Sequence, residues 1–310
     1  MKIVFFGTPE FAATSLNTLI SEGFNIVGVV TAPDHMGGRG GKQLLQSEVK
    51  KLAIEKNLPV LQPEKLKNET FIQNLAALHA DIFVVVAFRM LPEIVWSMPP
   101  LGSYNLHGSL LPKYRGAAPI HWAVINGETE TGVTVFKLKH DIDTGDILLQ
   151  EKIPVFPEDT TGIVYERMQH VGAKTLVNAL RLIQSGKYSI IKQNQDLVSH
   201  APKIFHTDAE INFDMDLEKV YNFIRGMNPF PGAWTTINQK ECKILSVSPE
   251  VDKKDTNLPG TIITDHKKWM KIKTRGGFIK VEELKMQGGK ALKTNEYLAG
   301  NKITSLFIGH

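Results

Sequence analysis

A chain of 310 residues is about two domains long, and 42% apolar against 22% charged residues is the balance of a folded globular protein, not a disordered one. A lone cysteine, Cys242, excludes an internal disulfide and suits a reducing compartment; its charged surroundings (QKECKIL) read as a strand, not an active site. The net charge of +4 is uneven, because 14 Lys and Arg against 8 Asp and Glu follow residue 239, so that tail carries +6 and the remainder −2. A basic module beside a mildly acidic one points to a polyanionic partner.

In chain order, the opening MKIVFFG is too short an apolar run for a signal peptide. The longest such run, Ile82–Phe88, stops at Arg89, far short of a membrane span. The expectation is a cytoplasmic protein with no membrane partner. Lys2–Phe6 predicts a buried strand, Thr8-Pro9 a helix start with Thr8 as cap, and Phe11–Ile20 a helix ended by Gly23. Asn25–Thr31 is the next strand, completing a βαβ unit of a parallel sheet. Gly7 is followed by Thr-Pro-Glu-Phe, not by Gly-x-x-Gly, which disfavours nicotinamide chemistry. Ala32–Lys42 (APDHMGGRGGK) is a basic, glycine-rich loop. Met36 and Gln43 stand where a P-loop needs Gly and Ser or Thr, so the loop is read as a flap offering Arg39 and Lys42 to the phosphates of a large anionic substrate.

Helices are then expected over Leu44–Lys56, Glu64–His79, Leu91–Met98, Ala117–Asn126 and Thr160–Ser185, and strands over Pro59–Leu61, Asp81–Phe88, Gly102–His107, Thr131–Leu138 and Ile147–Val155. Lys187–Thr207 has few apolar residues in register and reads as a linker. Beyond it come a helix over Leu217–Met227 and the rigid turn NPFPGAWT. Short strands follow at Trp234–Ile237, Cys242–Val247, Gly260–Ile263, Met270–Thr274, Gly277–Leu284 and Ile303–Phe307. The fold class expected is α/β: a doubly wound, mostly parallel, Rossmann-like sheet over 1–186, a linker over 187–207, and a smaller OB-like β-barrel over 208–310.

One stretch concentrates chemistry. In YNLHGSLLPKYRGAAP (Tyr104–Pro119), the i, i+2, i+4 spacing of Asn105, His107 and Ser109 on a strand turns all three to one face. Gly108 and Pro112 then break the strand into a turn, and the carboxyl end of a strand is where α/β sheets bind ligands. HDIDTGD (His140–Asp146) can supply a carboxylate. No Gly-x-Ser-x-Gly elbow supports Ser109 as a nucleophile, and Asp141, Asp143 and Asp146 lack the ligand spacing of a cation loop, so no metal is expected. Phe88, Leu91 and Leu110 can wall a flat ring system.

Asn-x-His-x-Ser-Leu-Leu-Pro followed by HDIDTGD resembles the folate-dependent formyltransferases, and the resemblance runs along essentially the whole chain. It implies transfer of a formyl group from 10-formyltetrahydrofolate to an amine, without a metal. Asn105, His107 and Asp143 fall on the family's catalytic positions, and Ser109, Leu110, Leu111 and Pro112, with the backbone from Val86 through Phe88 to Leu91, on its folate site. His140 and Asp141 are expected among its folate-binding residues as well. The GTPEFA opening, the NPFPGAWT turn and the basic tail are similar to the branch whose acceptor is the α-amino group of methionine on initiator tRNA. That branch implies a tRNA-binding C-terminal module and an acceptor-arm loop at Ala32–Lys42 with Arg39 at its basic position. The same three catalytic residues would also serve an acceptor such as a nucleotide-linked amino sugar. Nothing in the sequence demands more than a monomer. Acyl transfer passes through a tetrahedral oxyanion, which Asn105 and His107 can stabilise by N–H donation. Asp143 can take the amine's proton, directly or through water, or hold His107 in the useful state; residue types leave these roles open.

Overall fold

The computed structural model describes residues 1–38, 41, 43–304 and 307–308. The contacts expected of Arg39 and Lys42 lie outside the described residues.

The chain runs through β1 (Lys2–Gly7), α1 (Glu10–Ser21), β2 (Asn25–Val30), β3 (His35–Gly37), β4 (Gln43–Leu45), α2 (Glu48–Glu55), β5 (Val60–Leu61), α3 (Glu69–Ala76), β6 (Ile82–Val86) and α4 (Glu93–Trp96). It continues through β7 (Ser103–His107), β8 (Arg115–Gly116), α5 (Pro119–Ile125), β9 (Glu130–Lys137), β10 (Ile147–Pro154), α6 (Thr161–Ser185), β11 (His200–Ala201) and α7 (Leu217–Gly226). The last elements are β12 (Trp234–Ile237), β13 (Lys240–Val251), β14 (Ile262–Thr264), β15 (Met270–Thr274), β16 (Gly277–Met286), β17 (Leu292–Lys293) and α8 (Thr294–Gly300). Two compact units result: 1–116 with 130–154 and 165–201, and 117–129 with 155–164 and 202–310.

The first unit is built on a seven-stranded sheet of order β10-β9-β7-β6-β1-β2-β5. The five strands from β7 to β5 are parallel, while β9 and β10 add an antiparallel edge. From β1 the chain winds to β2 and β5, then returns to the other side of β1 for β6 and β7. Strand order therefore reverses between β1 and β6, and their carboxyl ends border the crevice where such sheets take ligands. Gly7 ends β1 there; a Cβ on it would lie 2.6 Å from that of Ala12 and 3.1 Å from the Val86 carbonyl oxygen. One face of the sheet (Val4, Phe6, Phe83, Val85) packs on Phe71, Leu75 and Val95 from α3 and α4. On the other, Gly172 of α6 lets Leu106 and Val133 approach closely.

Local chemistry moved several expected boundaries. Pro9, not Thr8, caps α1: it is extended, and its carbonyl receives the first helical N–H groups from Ala12 and Ala13. The helix expected from Leu44 begins only at Glu48, because Gln43–Leu45 pair with His35–Gly37 as a hairpin and the Ser47 side chain caps Lys50 N–H. Asn68 likewise caps Phe71 N–H and starts α3 at Glu69 instead of Glu64.

The second unit is a curled antiparallel half-barrel, β12-β13-β16-β15-β14, with β17 beside β16. Its core holds Val220 and Ile224 of α7 with Ile237, Ile244, Ile272, Ile279 and Leu284. Cys242 is buried there, which pushes its thiol up to about 12 and leaves it inert. In the expected strand Ile303–Phe307, Ile303 and Thr304 are irregular and Phe307 forms a single bridge with Thr261; residues 305 and 306 lie outside the described set. Helix α8 was not anticipated, since its seven residues bury only Thr294, Tyr297 and Leu298 and show no legible period.

Candidate active site

Strand β7 is held by β6 on one side, with Val85 beside Asn105, and by β9 on the other, with Thr134 opposite His107. Alternation turns Asn105 and His107 to the face opposite Leu106. Asn105 is half-buried, and its carboxamide has no hydrogen-bond partner among the described residues. His107 is 7% exposed, with Nε2 2.9 Å from the Tyr114 carbonyl oxygen. A carbonyl only accepts, so Nε2 carries a hydrogen and Nδ1 is the nitrogen turned to the site. Nδ1 lies 3.7 Å from Asp143 Oδ2, within ion-pair range but beyond a hydrogen bond.

Asp143 is 9% exposed, and its Oδ2 accepts from the Gly116 N–H at 2.9 Å. Its backbone is left-handed, at φ 55°. The turn then closes tightly: a Cβ on Gly145 would lie 1.7 Å from the Lys137 carbonyl oxygen. Histidine and carboxylate thus face each other at the carboxyl edge of the sheet, and Asn105 lies two residues before His107 on the same face of β7.

The 109–112 turn is pinned from the neighbouring strands. Ser109 is fully buried, its hydroxyl donating to Lys113 O at 2.6 Å. Thr134 Oγ1 donates to Ser109 O at 2.6 Å and accepts from Leu111 N–H at 3.0 Å, while Gln150 Nε2 reaches Leu111 O at 2.9 Å. Leu111 packs with Phe136 and Ile147, leaving Leu110 and Pro112 half-buried. Of the three apolar residues expected to wall a ring, Phe88 and Leu110 keep exposed surface. Leu91 is 5% exposed within the core, as Val86 is wholly, so each offers backbone alone. His140 and Asp141 are exposed at the rim of the Asp143 loop, 3.2 Å apart. Asp146 pairs with Lys139 at 2.7 Å. Among the described residues no group of three or more His, Cys, Asp or Glu is arranged to hold a metal.

Sequence reasoning missed the residues that brace this site. The Tyr114 carbonyl, Thr134 and Gln150 act through hydrogen bonds that no spacing encodes. Arg115 and Gln193 are both buried and joined to each other, with Gln193 Oε1 accepting from Arg115 Nε at 3.0 Å and Nη2 at 2.6 Å. Burial lowers the Arg115 pKa, and the charge of Asp143 opposes that shift.

Two family models match the chain: formyl transferase over residues 1–180 and formyl transferase, C-terminal domain, over 203–302. The methionyl-tRNA formyltransferase of Bacteroides fragilis is 46% identical over 315 residues, covering 99% of this chain and 97% of that protein. That of Clostridioides difficile is 42% identical over 311 residues, covering all of both. Among solved structures, WlaRD, a sugar 3N-formyl transferase with dTDP and 5-N-formyl-THF, superposes with a TM-score of 0.69 at 22% identity, covering 95% of this chain and 98% of that one. HypX from Aquifex aeolicus in complex with tetrahydrofolic acid superposes with a TM-score of 0.63 at 18% identity, over 96% of this chain and 47% of that one. At such identities these structures support the fold alone. With both of its domains matched and relatives above 40% identity end to end, the chain belongs to the formyl transferase family, alongside the methionyl-tRNA formyltransferases.

Proposed function

We propose that this protein transfers the formyl group of 10-formyltetrahydrofolate to the α-amino group of methionine carried by initiator tRNA. The observation that carries the reading is the buried His107–Asp143 pair, its histidine on a strand whose same face carries Asn105, in a chain 46% identical to a methionyl-tRNA formyltransferase. The amine nitrogen bonds to the formyl carbon, the carbon–nitrogen bond to the folate breaks, and the proton lost by the amine ends on the departing nitrogen. Asn105 donates to the oxygen that becomes negative, and a protonated His107 donates from Nδ1, its Nε2–H being engaged by Tyr114 O. Asp143 stands beside Nδ1 and takes the proton that the amine gives up, directly or through a water. Phe88 and Leu110 supply apolar surface for the pterin, backbone from Val86 to Leu91 supplies donors and acceptors, and Ser109, Leu111 and Pro112 complete the folate site. The 32–42 loop and the basic tail contact tRNA phosphates.

A purified-protein assay with 10-formyltetrahydrofolate tests this against three acceptors: methionyl-tRNA, a nucleotide-linked amino sugar and water. Formylation confined to methionyl-tRNA is the expected result. Preference for the amino sugar would replace the acceptor and keep the chemistry.

A further inference from the structure

Asp143 sits in no strand or helix, and its backbone is in the left-handed region that side chains adopt at a cost. Something must hold it there, and the stretch following α6 supplies the part. Gln193, 7% exposed, donates both hydrogens of its carboxamide into the acidic turn, to Asp143 O at 2.8 Å and Gly145 O at 2.7 Å. Its oxygen is gripped by the Arg115 fork, whose remaining nitrogen, Nη1, reaches Gln195 Oε1 at 3.3 Å. Arg115 is 8% exposed, yet no carboxylate touches its guanidinium among the described residues. A buried cation usually binds a carboxylate directly; here a neutral amide stands between Arg115 and the loop bearing Asp143. The same strap pairs β11 with β8 and so fixes Gly116, whose N–H holds Asp143 Oδ2.

We propose that Gln193 is the positioning residue of Asp143: anchored by Arg115, it fixes the left-handed turn and thereby the carboxylate oxygen that faces His107. Gln193 touches no reacting atom in this scheme, so its whole effect on turnover passes through Asp143. The inference rests on the proposed role of Asp143 in formyl transfer.

The test is a double-mutant cycle on the full chain, with kcat and both KM values measured by single- and multiple-turnover formylation of methionyl-tRNA. Gln193→Ala should lower kcat about 10- to 100-fold, a share of what positioned proton transfer supplies, with either KM changed less than about threefold. Added to Asp143→Ala, the same substitution should change the residual kcat less than about twofold, because its target is already gone. Arg115→Lys, which keeps the buried charge and loses the fork, should repeat the pattern more weakly and covers the case in which Gln193→Ala does not fold. Losses that multiply in the Asp143→Ala background, or a Gln193→Ala enzyme with unchanged kcat, would overturn the proposal. Full activity in Asp143→Ala alone would remove Asp143 from the reaction, and the inference with it.

Discussion

The hydrogen bond from His107 Nε2 to Tyr114 O leaves the imidazole a single nitrogen for chemistry, and the Asn105 carboxamide spends none of its donor capacity on the described residues. These two facts separate activity from stability. Asn105→Ala removes no side-chain hydrogen bond among the described residues, so its melting temperature should stay near that of the parent while kcat falls about 10²- to 10³-fold, the usual cost of one oxyanion donor. Circular-dichroism melting beside steady-state kinetics checks both halves, and an Asn105→Ala enzyme at full rate would take the carboxamide out of the reaction. Gly116→Ala should behave oppositely and lose both. Its backbone is at φ 124°, and a Cβ would lie 2.6 Å from Ala201 O, so the strand pair must part and the N–H that holds Asp143 must move with it. A lower melting temperature together with reduced kcat is the expected outcome; an unaltered protein would show that the strap tolerates displacement without consequence for the carboxylate.

At the level of elements, the hairpin of β3 and β4 is tied to the sheet at one base. Asp34 accepts from Lys50 Nζ at 2.5 Å and from Gln62 Nε2 at 2.8 Å, and Gln62 also reaches Ala32 O at 2.8 Å. The bond from Lys50, then that from Gln62, holds the Asp34 carboxyl below its usual pKa. A depressed carboxyl contributes stability that is present above its unfolded value, about pH 4, and is lost as pH falls through the folded one. The difference in stability between the parent and Asp34→Asn should therefore shrink on acidification through that range; a gap that stays constant with pH would deny the ion pair its part. This anchor also shows what a sequence can and cannot disclose. The buried run Ile82–Val86, the alternating β9 and the stripe on α6 were legible because burial repeats with the period of the backbone. The hairpin was not, since Gln43–Leu45 looks like the start of the helix that follows it. Asn105, His107 and Asp143 could be picked out by residue type and by the strand that carries the first two. Gln193 could not: it bonds across 50 residues to Asp143 O from a stretch with no period of its own.

For the molecule as a whole, the uneven charge makes a claim that salt can test. The tail after residue 239 carries +6, but not all of its cations are available to a partner. Lys271 is paired with Glu250 at 2.9 Å, Arg275 with Asp214 at 2.9 Å, and Lys273 is 4% exposed against Asp255 at 3.2 Å. Lys253, Lys254, Lys267 and Lys268 are exposed, and the side chains of the last two meet no acidic partner among the described residues. If the tail grips tRNA through phosphates, each lysine–phosphate pair releases a counterion and the logarithm of the binding constant falls linearly with that of salt. Replacing Lys267 and Lys268 by Gln should then weaken methionyl-tRNA binding at low salt and flatten the salt dependence by about one unit for each phosphate left without its lysine. Folate affinity and the rate at saturating tRNA should be unchanged, since neither residue enters the chemistry. An equal slope in parent and variant would move phosphate recognition off this surface, to other cations of the tail or to the 32–42 loop, and deleting residues 38–41 would then be expected to raise the KM for tRNA while leaving that for the folate in place.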